Sequence, residues 1–285
     1  MTNRFALFVW ILFFAGCAVQ TQRPIRPCVG KNTAAEAIET LNQRRQQTIP
    51  IRATGQCLLR YRAEGKQHKE NFPVKLWVSP PNEIYLQGDV AFDAAGLVLG
   101  SNADEFWFWL KPKEVSAYWW GEWSQAGVLN RLVLSPAMVL EAFGGVNVRE
   151  GDQSLTRSGD FDVLVLHSGQ NAVLKRVYIE RCNYVVAKIE QFDSAGRLAV
   201  RAEFADYKQI AEGFFAPVSI KIEVVADDGG EDFVEISLAS IQSTKLSEEQ
   251  RQRLFVRPQP RGFDHVYKII DGTAVEQIRQ QSVKK

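Results

Sequence analysis

Four cysteines, three histidines and one acidic turn are the side chains of this 285-residue sequence whose types could do chemistry. His68, His167 and His265 are scattered, and none has partners at the spacing of a metal site, so no metal is expected. The run Asp227-Asp-Gly-Gly-Glu-Asp232 lacks the ligand spacing of a calcium loop and reads as a solvated hairpin tip. No nucleophile elbow, phosphate-binding loop or dinucleotide fingerprint occurs. No catalytic residue and no cofactor are therefore expected, and the chain reads as a binding protein rather than an enzyme. The chemistry that remains is that of Cys17, Cys28, Cys57 and Cys182.

Cys17 follows an N-terminus of a particular layout. Arg4 is the single charge ahead of an apolar run from Phe5 to Phe14. That run is too short for a membrane-spanning helix, which needs about 20 residues, and suits a secretory signal peptide. Ala15 and Gly16 then place two small residues directly before the cysteine. The segment resembles a bacterial lipobox, with Phe14 where Leu is commoner. The resemblance implies that a lipid is attached to the Cys17 thiol and that the signal, residues 1–16, is cut away. Ala18 in place of Asp implies an outer-membrane destination, facing the periplasm. Residues 17–32 are polar and proline-bearing and read as a tether, leaving 33–285 as one domain. No second apolar segment is long enough to span a bilayer, so the membrane is an expected partner through the anchor alone. A net charge of +1 gives no pull toward nucleic acid.

Export permits disulfides. Cys28 lies just past the tether and Cys57 in the first expected strand. A Cys28–Cys57 bridge would staple the N-terminal helix to the sheet, contributing on the order of 3 kcal/mol. Cys182 is then left as a buried thiol.

The elements that position these groups are mostly strands. Residues 33–47 form an amphipathic helix with Ala34, Ala37, Ile38 and Leu41 on its apolar face and Asn32 or Thr33 as its cap. Alternating segments follow at 51–64, 66–79, 83–92, 94–101, 105–112 and 113–121. They resume at 161–168, 172–181, 184–193, 197–207, 213–226 and 232–245. Short turns between them, such as Glu64-Gly-Lys66 and Asp193-Ser-Ala-Gly196, imply an antiparallel meander. Ser135 to Gly145 carries the signature of a short capped helix, and a third helix is expected after Thr244.

The later strands alternate cleanly, as in Leu198, Val200, Ala202 and Phe204 against Arg197, Arg201 and Glu203. The segment Glu105-Phe-Trp-Phe-Trp-Leu-Lys111 is apolar on both faces, and every tryptophan after Trp10 lies between Trp77 and Trp123. Both faces of this half-sheet need covering. Either the aromatic side chains are core, covered by helices, tether and the curving sheet, or they mark an apolar cavity or a membrane-facing patch.

The order of lipobox, helix, long antiparallel strands, mid-chain helix, further strands, late helix and Pro-containing tail resembles the lipoprotein carriers and receptors of the LolA/LolB type. Val74-Lys-Leu-Trp-Val-Ser-Pro-Pro-Asn82 is like that family's early strand and turn. The resemblance implies a mainly β fold: a single curved antiparallel sheet, an unclosed β-barrel, with a few helices on its concave side. It also implies a cavity for acyl chains of lipids or lipoproteins, and a part in lipid or lipoprotein transport in the bacterial envelope. By strand alternation, Val74, Leu76, Val78, Ile84, Leu86, Phe106, Phe108 and Leu110 line that cavity. Trp77, Tyr85, Trp107 and Trp109 form an aromatic face on the reverse, turned to a membrane or a protein. The alternative is a scaffold lipoprotein that docks an envelope protein partner on that aromatic face.

Overall fold

Turn chemistry and alternation set the strand order. The computed structural model describes residues 28–90, 93–125, 135–144, 152–168, 172–225 and 231–277. Cys17, the signal peptide, most of the tether and the acidic tip at 227–230 lie outside the described residues. Helix α1 (Ala34–Gln46) begins at Thr33, whose hydroxyl accepts a hydrogen bond from the Glu36 N–H at 3.2 Å. Arg44 and Arg45 end it, as the helix dipole favours.

Six strands follow: β1 (Ile51–Ala63), β2 (Lys66–Ser79), β3 (Glu83–Val90), β4 (Asp93–Ser101), β5 (Glu105–Leu110) and β6 (Ala117–Glu122). Glu64 and Gly65, both at positive φ, close the first hairpin. Helix α2 (Pro136–Ala142) has proline in its first turn. The chain continues through β7 (Gln153–Ser158), β8 (Phe161–His167), β9 (Val173–Glu180), β10 (Val186–Phe192) and β11 (Leu198–Ala205). Then come a small hairpin, β12 (Lys208–Ala211) and β13 (Phe214–Ala216), and the strands β14 (Ser219–Val225) and β15 (Glu231–Ser243). Helix α3 (Glu248–Phe255) carries a reciprocal capping box between Ser247 and Gln250. The last hairpin is β16 (His265–Ile270) and β17 (Thr273–Glu276).

Fifteen of these strands make one sheet, in the order β17-β16-β6-β5-β4-β3-β2-β1-β15-β14-β11-β10-β9-β8-β7. It does not close: β17 and β7 are its edges. The fold is thus mainly β with an unclosed sheet, as expected. It is mixed, however, rather than wholly antiparallel, because β16 runs parallel to β6. The chain reaches that position by a crossover through α3 and residues 256–264, which parallel pairing requires.

One principal core fills the inner side of the sheet. Leu99 and Phe108 from one limb share it with Leu164 and Ile189 from the other, so the sheet curves around a single apolar mass. Ala37 and Leu41 of α1, and Met138, Val139, Leu140 and Ala142 of α2, cover it.

The reverse of strands β3 to β6 has its own cover. Trp107 is 0 % exposed, packed with Val98, Tyr118, Phe263 and Val266. The segment after α3 is pinned there by polar contacts. Asn102 Nδ2 donates to the Phe255 carbonyl at 3.0 Å, and Tyr118 Oη to the Pro258 carbonyl at 2.8 Å. Arg257 donates to Glu105 at 2.6 Å while its guanidinium lies 4.1 Å from the centre of the Trp120 ring. Gly100 makes room for this packing, since a Cβ there would sit 2.2 Å from the Trp107 ring. Trp107 is therefore core, with the tail as its cover, while Trp77, Trp109, Trp119, Trp120 and Trp123 are half-buried.

Candidate functional site

The cysteine pairing differs from the sequence expectation. Cys28 is bonded to Cys182, with Cα atoms 5.0 Å apart, and Cys57 is free. Cys57 lies mid-sheet on β1, flanked by β2 and β15, and points into the principal core. Burial pushes its thiol up to about 12, which leaves it unreactive at neutral pH. Cys28, where the described chain begins, runs instead beside the turn from β9 to β10 that carries Cys182.

Several contacts hold the chain to that turn. The Lys31 N–H donates to Asp162 Oδ2 at 2.7 Å, and Asp162 is fully buried in β8. Gly30 is required here because a Cβ would lie 2.1 Å from the Asp162 carboxylate. Tyr184 reaches the same carboxylate at 3.4 Å, and Lys31 Nζ lies 5.2 Å from the centre of the Tyr184 ring. Burial, then the charge of Asp162, pushes the Tyr184 phenol upward. The disulfide and Asp162 thus fix residues 28–31 against β8 and the turn from β9 to β10.

Beside that turn lies a cleft of about 40 Å³. Leu41, Ala142, Val186, Tyr207 and Phe214 give it apolar walls, and Tyr184 belongs to its lining. Tyr207 donates to the Val186 carbonyl at 2.6 Å, and burial pushes its phenol upward. Two charged groups also line the cleft. Arg44 of α1 lies 5.5 Å from the centre of the Phe215 ring, and its burial lowers its pKa against the opposing charge of Glu180. Glu141 of α2 accepts a hydrogen bond from Lys175 of β9 at 2.6 Å; the two side chains are 9 % and 11 % exposed.

The eight residues expected to line a cavity all face inward, but none lines this cleft. Val74, Leu76, Val78, Ile84, Leu86, Phe108 and Leu110 are in the principal core, where α2 and α1 fill the volume they enclose. Phe106 packs in a separate small cluster with Ile269, Trp119 and Trp123. Val74 also borders an open groove of about 590 Å³ that crosses β3, β2, β1 and β15. Of the expected aromatic face, Trp107 is sealed beneath the C-terminal segment and Trp109 packs partly beside it, donating to the Ala95 carbonyl at 2.9 Å. Trp77 and Tyr85 are half-buried, with ring centres 6.0 Å apart. Cover by the tail removes Trp107 as a membrane or partner contact.

Sequence reasoning missed Arg44, Glu141, Asp162 and Lys175. One signal was present: Val173, Lys175, Val177 and Ile179 share a strand face, so a lysine stands in an apolar phase. Glu141 likewise interrupts the apolar run Met138-Val-Leu-Glu-Ala-Phe143.

No protein-family model matches the chain, and no curated protein matches it. Solved structures do. A domain described as an outer membrane lipoprotein-sorting protein from Vibrio parahaemolyticus matches at TM-score 0.51 and 15 % identity, covering 77 % of this chain and 97 % of that one. A DUF1329 family protein from Desulfovibrio piger matches at TM-score 0.52 and 12 % identity, covering 79 % and 100 %. A LolA superfamily protein from Nitrosomonas europaea is also found, at TM-score 0.48 and 14 % identity, covering 77 % and 97 %. The structural neighbours are lipoprotein-sorting and LolA-superfamily proteins. At these identities the likeness is one of fold.

Proposed function

We propose that this chain is a non-enzymatic lipoprotein of the bacterial envelope, anchored through Cys17, that binds the acyl chain of a lipid or lipidated protein on the inner side of its sheet. The observation that carries this reading is the position of the tether. The Cys28–Cys182 bond joins it to the β9–β10 turn, whose Tyr184, two residues past Cys182, lines the cleft. Cys28 lies eleven positions after Cys17, a reach of about 40 Å at full stretch. An anchor at Cys17 therefore holds the cleft within reach of the bilayer. The lipoprotein-sorting fold agrees with such a role.

The cleft admits about one water molecule. An acyl chain must displace side chains to enter, and α2 is the short element in its way. Each methylene buried returns about 0.8 kcal/mol, so a long chain can offset the opening of a seven-residue helix. Native mass spectrometry of the Cys17→Ser protein, purified without detergent, tests the reading. Co-purified lipid is expected, and Phe215→Asp at the cleft should remove it without unfolding the protein. Lipid-free protein that also takes up no added fatty acid would overturn it. Labelling cells with radioactive palmitate, with Cys17→Ser as control, tests the anchor separately.

A further inference from the structure

Strand register places one stretch of the reverse face at the tether's end of the sheet. Ile51 of β1 stands opposite Val78 of β2 and Ser243 of β15. From β15 the ladder continues antiparallel through β14, β11, β10 and β9. The turn from β9 to β10, which Cys182 ties to Cys28, therefore lies at the same end as Ile51. At that end Arg52, Trp77 and Tyr85 are successive cross-strand partners on β1, β2 and β3, all on the face away from the core. The next row toward the middle of the sheet adds Lys75, and neither row holds a carboxylate on these three strands.

The side chains of this stretch are unusually unpartnered. Trp77 and Tyr85 are half-buried, and their polar tips, Nε1–H and hydroxyl, are not sealed and make no hydrogen bond among the described residues. Arg52 is exposed and bonds only the Gln242 amide, at 3.2 Å. Arg253 of α3 is exposed and near Tyr85: burial pushes the Tyr85 phenol up, and the Arg253 charge opposes that push. No ion pair forms among the described residues between Arg253 and Glu249, one turn earlier, and Glu83 is held by Arg251 at 2.6 Å. Val256, 60 % exposed, stands between the contacts that pin the tail through Phe255 and Arg257.

Aromatic rings with wet polar tips, set among unpaired cations, fit the layer between lipid headgroups and acyl chains. We infer that this stretch of the reverse face docks on a bilayer bearing anionic headgroups, with Arg52, Lys75 and Arg253 against the phosphates and Trp77, Tyr85 and Val256 entering the interface. The tether favours a bilayer over a protein. The chain leaves the domain at this end, so an anchor at Cys17 keeps the face close to the surface it is tied to, where weak contacts suffice. Docked in this way, the turn that carries Tyr184 of the cleft also lies at the bilayer end. The anchor of the proposed function supplies this orientation, and the surface itself is tested without it.

The test uses the Cys17→Ser chain lacking residues 1–16, so that neither leader nor lipid can bind; the core contacts described above all lie within residues 28–277. It should cosediment more strongly with vesicles of phosphatidylcholine and one-third phosphatidylglycerol than with phosphatidylcholine alone, and salt should weaken the binding. Arg52→Gln and Arg253→Gln should each lower partitioning about 5-fold, the share of one surface cation, and together about 25-fold. Lys69→Gln, at the far end of β2, should leave it unchanged. All three side chains are exposed, and an unchanged urea midpoint checks that the variants fold. Lipids brominated just below the headgroup give a second readout: they should quench the unmodified chain, and the quenched fraction should fall in Trp77→Phe. No preference for anionic vesicles, an equal loss from Lys69→Gln, or unchanged quenching in Trp77→Phe overturns the docking face. Self-association that buries Trp77 without vesicles gives the face to a second copy and overturns it too. Lipid co-purification and palmitate labelling, which test the proposed function, do not involve these residues and are decided separately.

Discussion

Replacing both Cys28 and Cys182 by serine opens a loop closed across 154 residues. Chain entropy alone makes that bond worth about 5 kcal/mol, because the constraint it puts on the unfolded chain grows with the logarithm of loop length. The same change frees the segment that Asp162 and Gly30 clamp, so the loss is felt first beside the cleft. Two assays check this on the Cys17→Ser protein. Urea denaturation should show a lower midpoint with little change in slope, by an amount equivalent to about 2–5 kcal/mol. Thiol titration supplies an independent count. The native protein should show no reactive thiol, since both partners of the bond are oxidised and Cys57 is buried with its pKa raised to about 12. Denaturation should expose one thiol, and denaturation with reductant three. Three thiols without reductant, or a disulfide-linked peptide containing Cys57, would refute the assigned pairing. A double variant as stable as the parent would refute the energetic reasoning.

Other perturbations read other parts of the fold. Gly100→Ala forces a methyl to within 2.2 Å of the Trp107 ring, and should destabilise the protein by about 1–3 kcal/mol in urea titration. Arg257→Ala removes both the Glu105 pair and the contact with Trp120. It should loosen the tail by about 1–2 kcal/mol and shift tryptophan emission to longer wavelength, whereas an unchanged spectrum would mean that the tail is held by its apolar contacts alone. Burial raises the Tyr118 phenol to about 12, ahead of the opposing effect of Arg257. A raised folded-state pKa favours the folded state below the unfolded value near 10 and loses that advantage as pH rises toward about 12. Stability should therefore fall across that alkaline window, and Tyr118→Phe should flatten the fall.

Much of the fold is legible because strands with one wet face announce themselves. Val200, Ala202 and Phe204 fall into the core in the phase that their alternation implies. Helices α1 and α3 are marked by Thr33 and Ser247, which both make their capping hydrogen bonds. What escaped notice are the polar edge strand β7 and the hairpin β16–β17. The latter had a signal, since Asp271-Gly272 between apolar runs is a hairpin turn, and both residues take positive φ. The cover over Trp107 could not be seen in the strands themselves. A pattern apolar on both faces says that something lies on each, but not which distant segment it is. The disulfide escaped for a similar reason. Three cysteines allow three pairings, and nearness in sequence favoured Cys57 over a partner brought close only by the sheet. At the cleft, alternation finds apolar residues efficiently, and so pointed to the filled core rather than to the charged side chains at its rim.

The order of the strands also sets how the molecule can be made. β1 pairs with β15, β6 with β16, and Cys28 with Cys182, so each early part of the chain waits for a late one. Such distant pairings close slowly, because the loop entropy is paid before the contacts form. Until residues 255–270 arrive, the reverse face of β5 and β6 shows its tryptophans to solvent. Maturation of this protein is therefore a race between the arrival of its own tail and association of that sticky face with another chain. A C-terminal truncation should be felt less as lost binding than as lost yield.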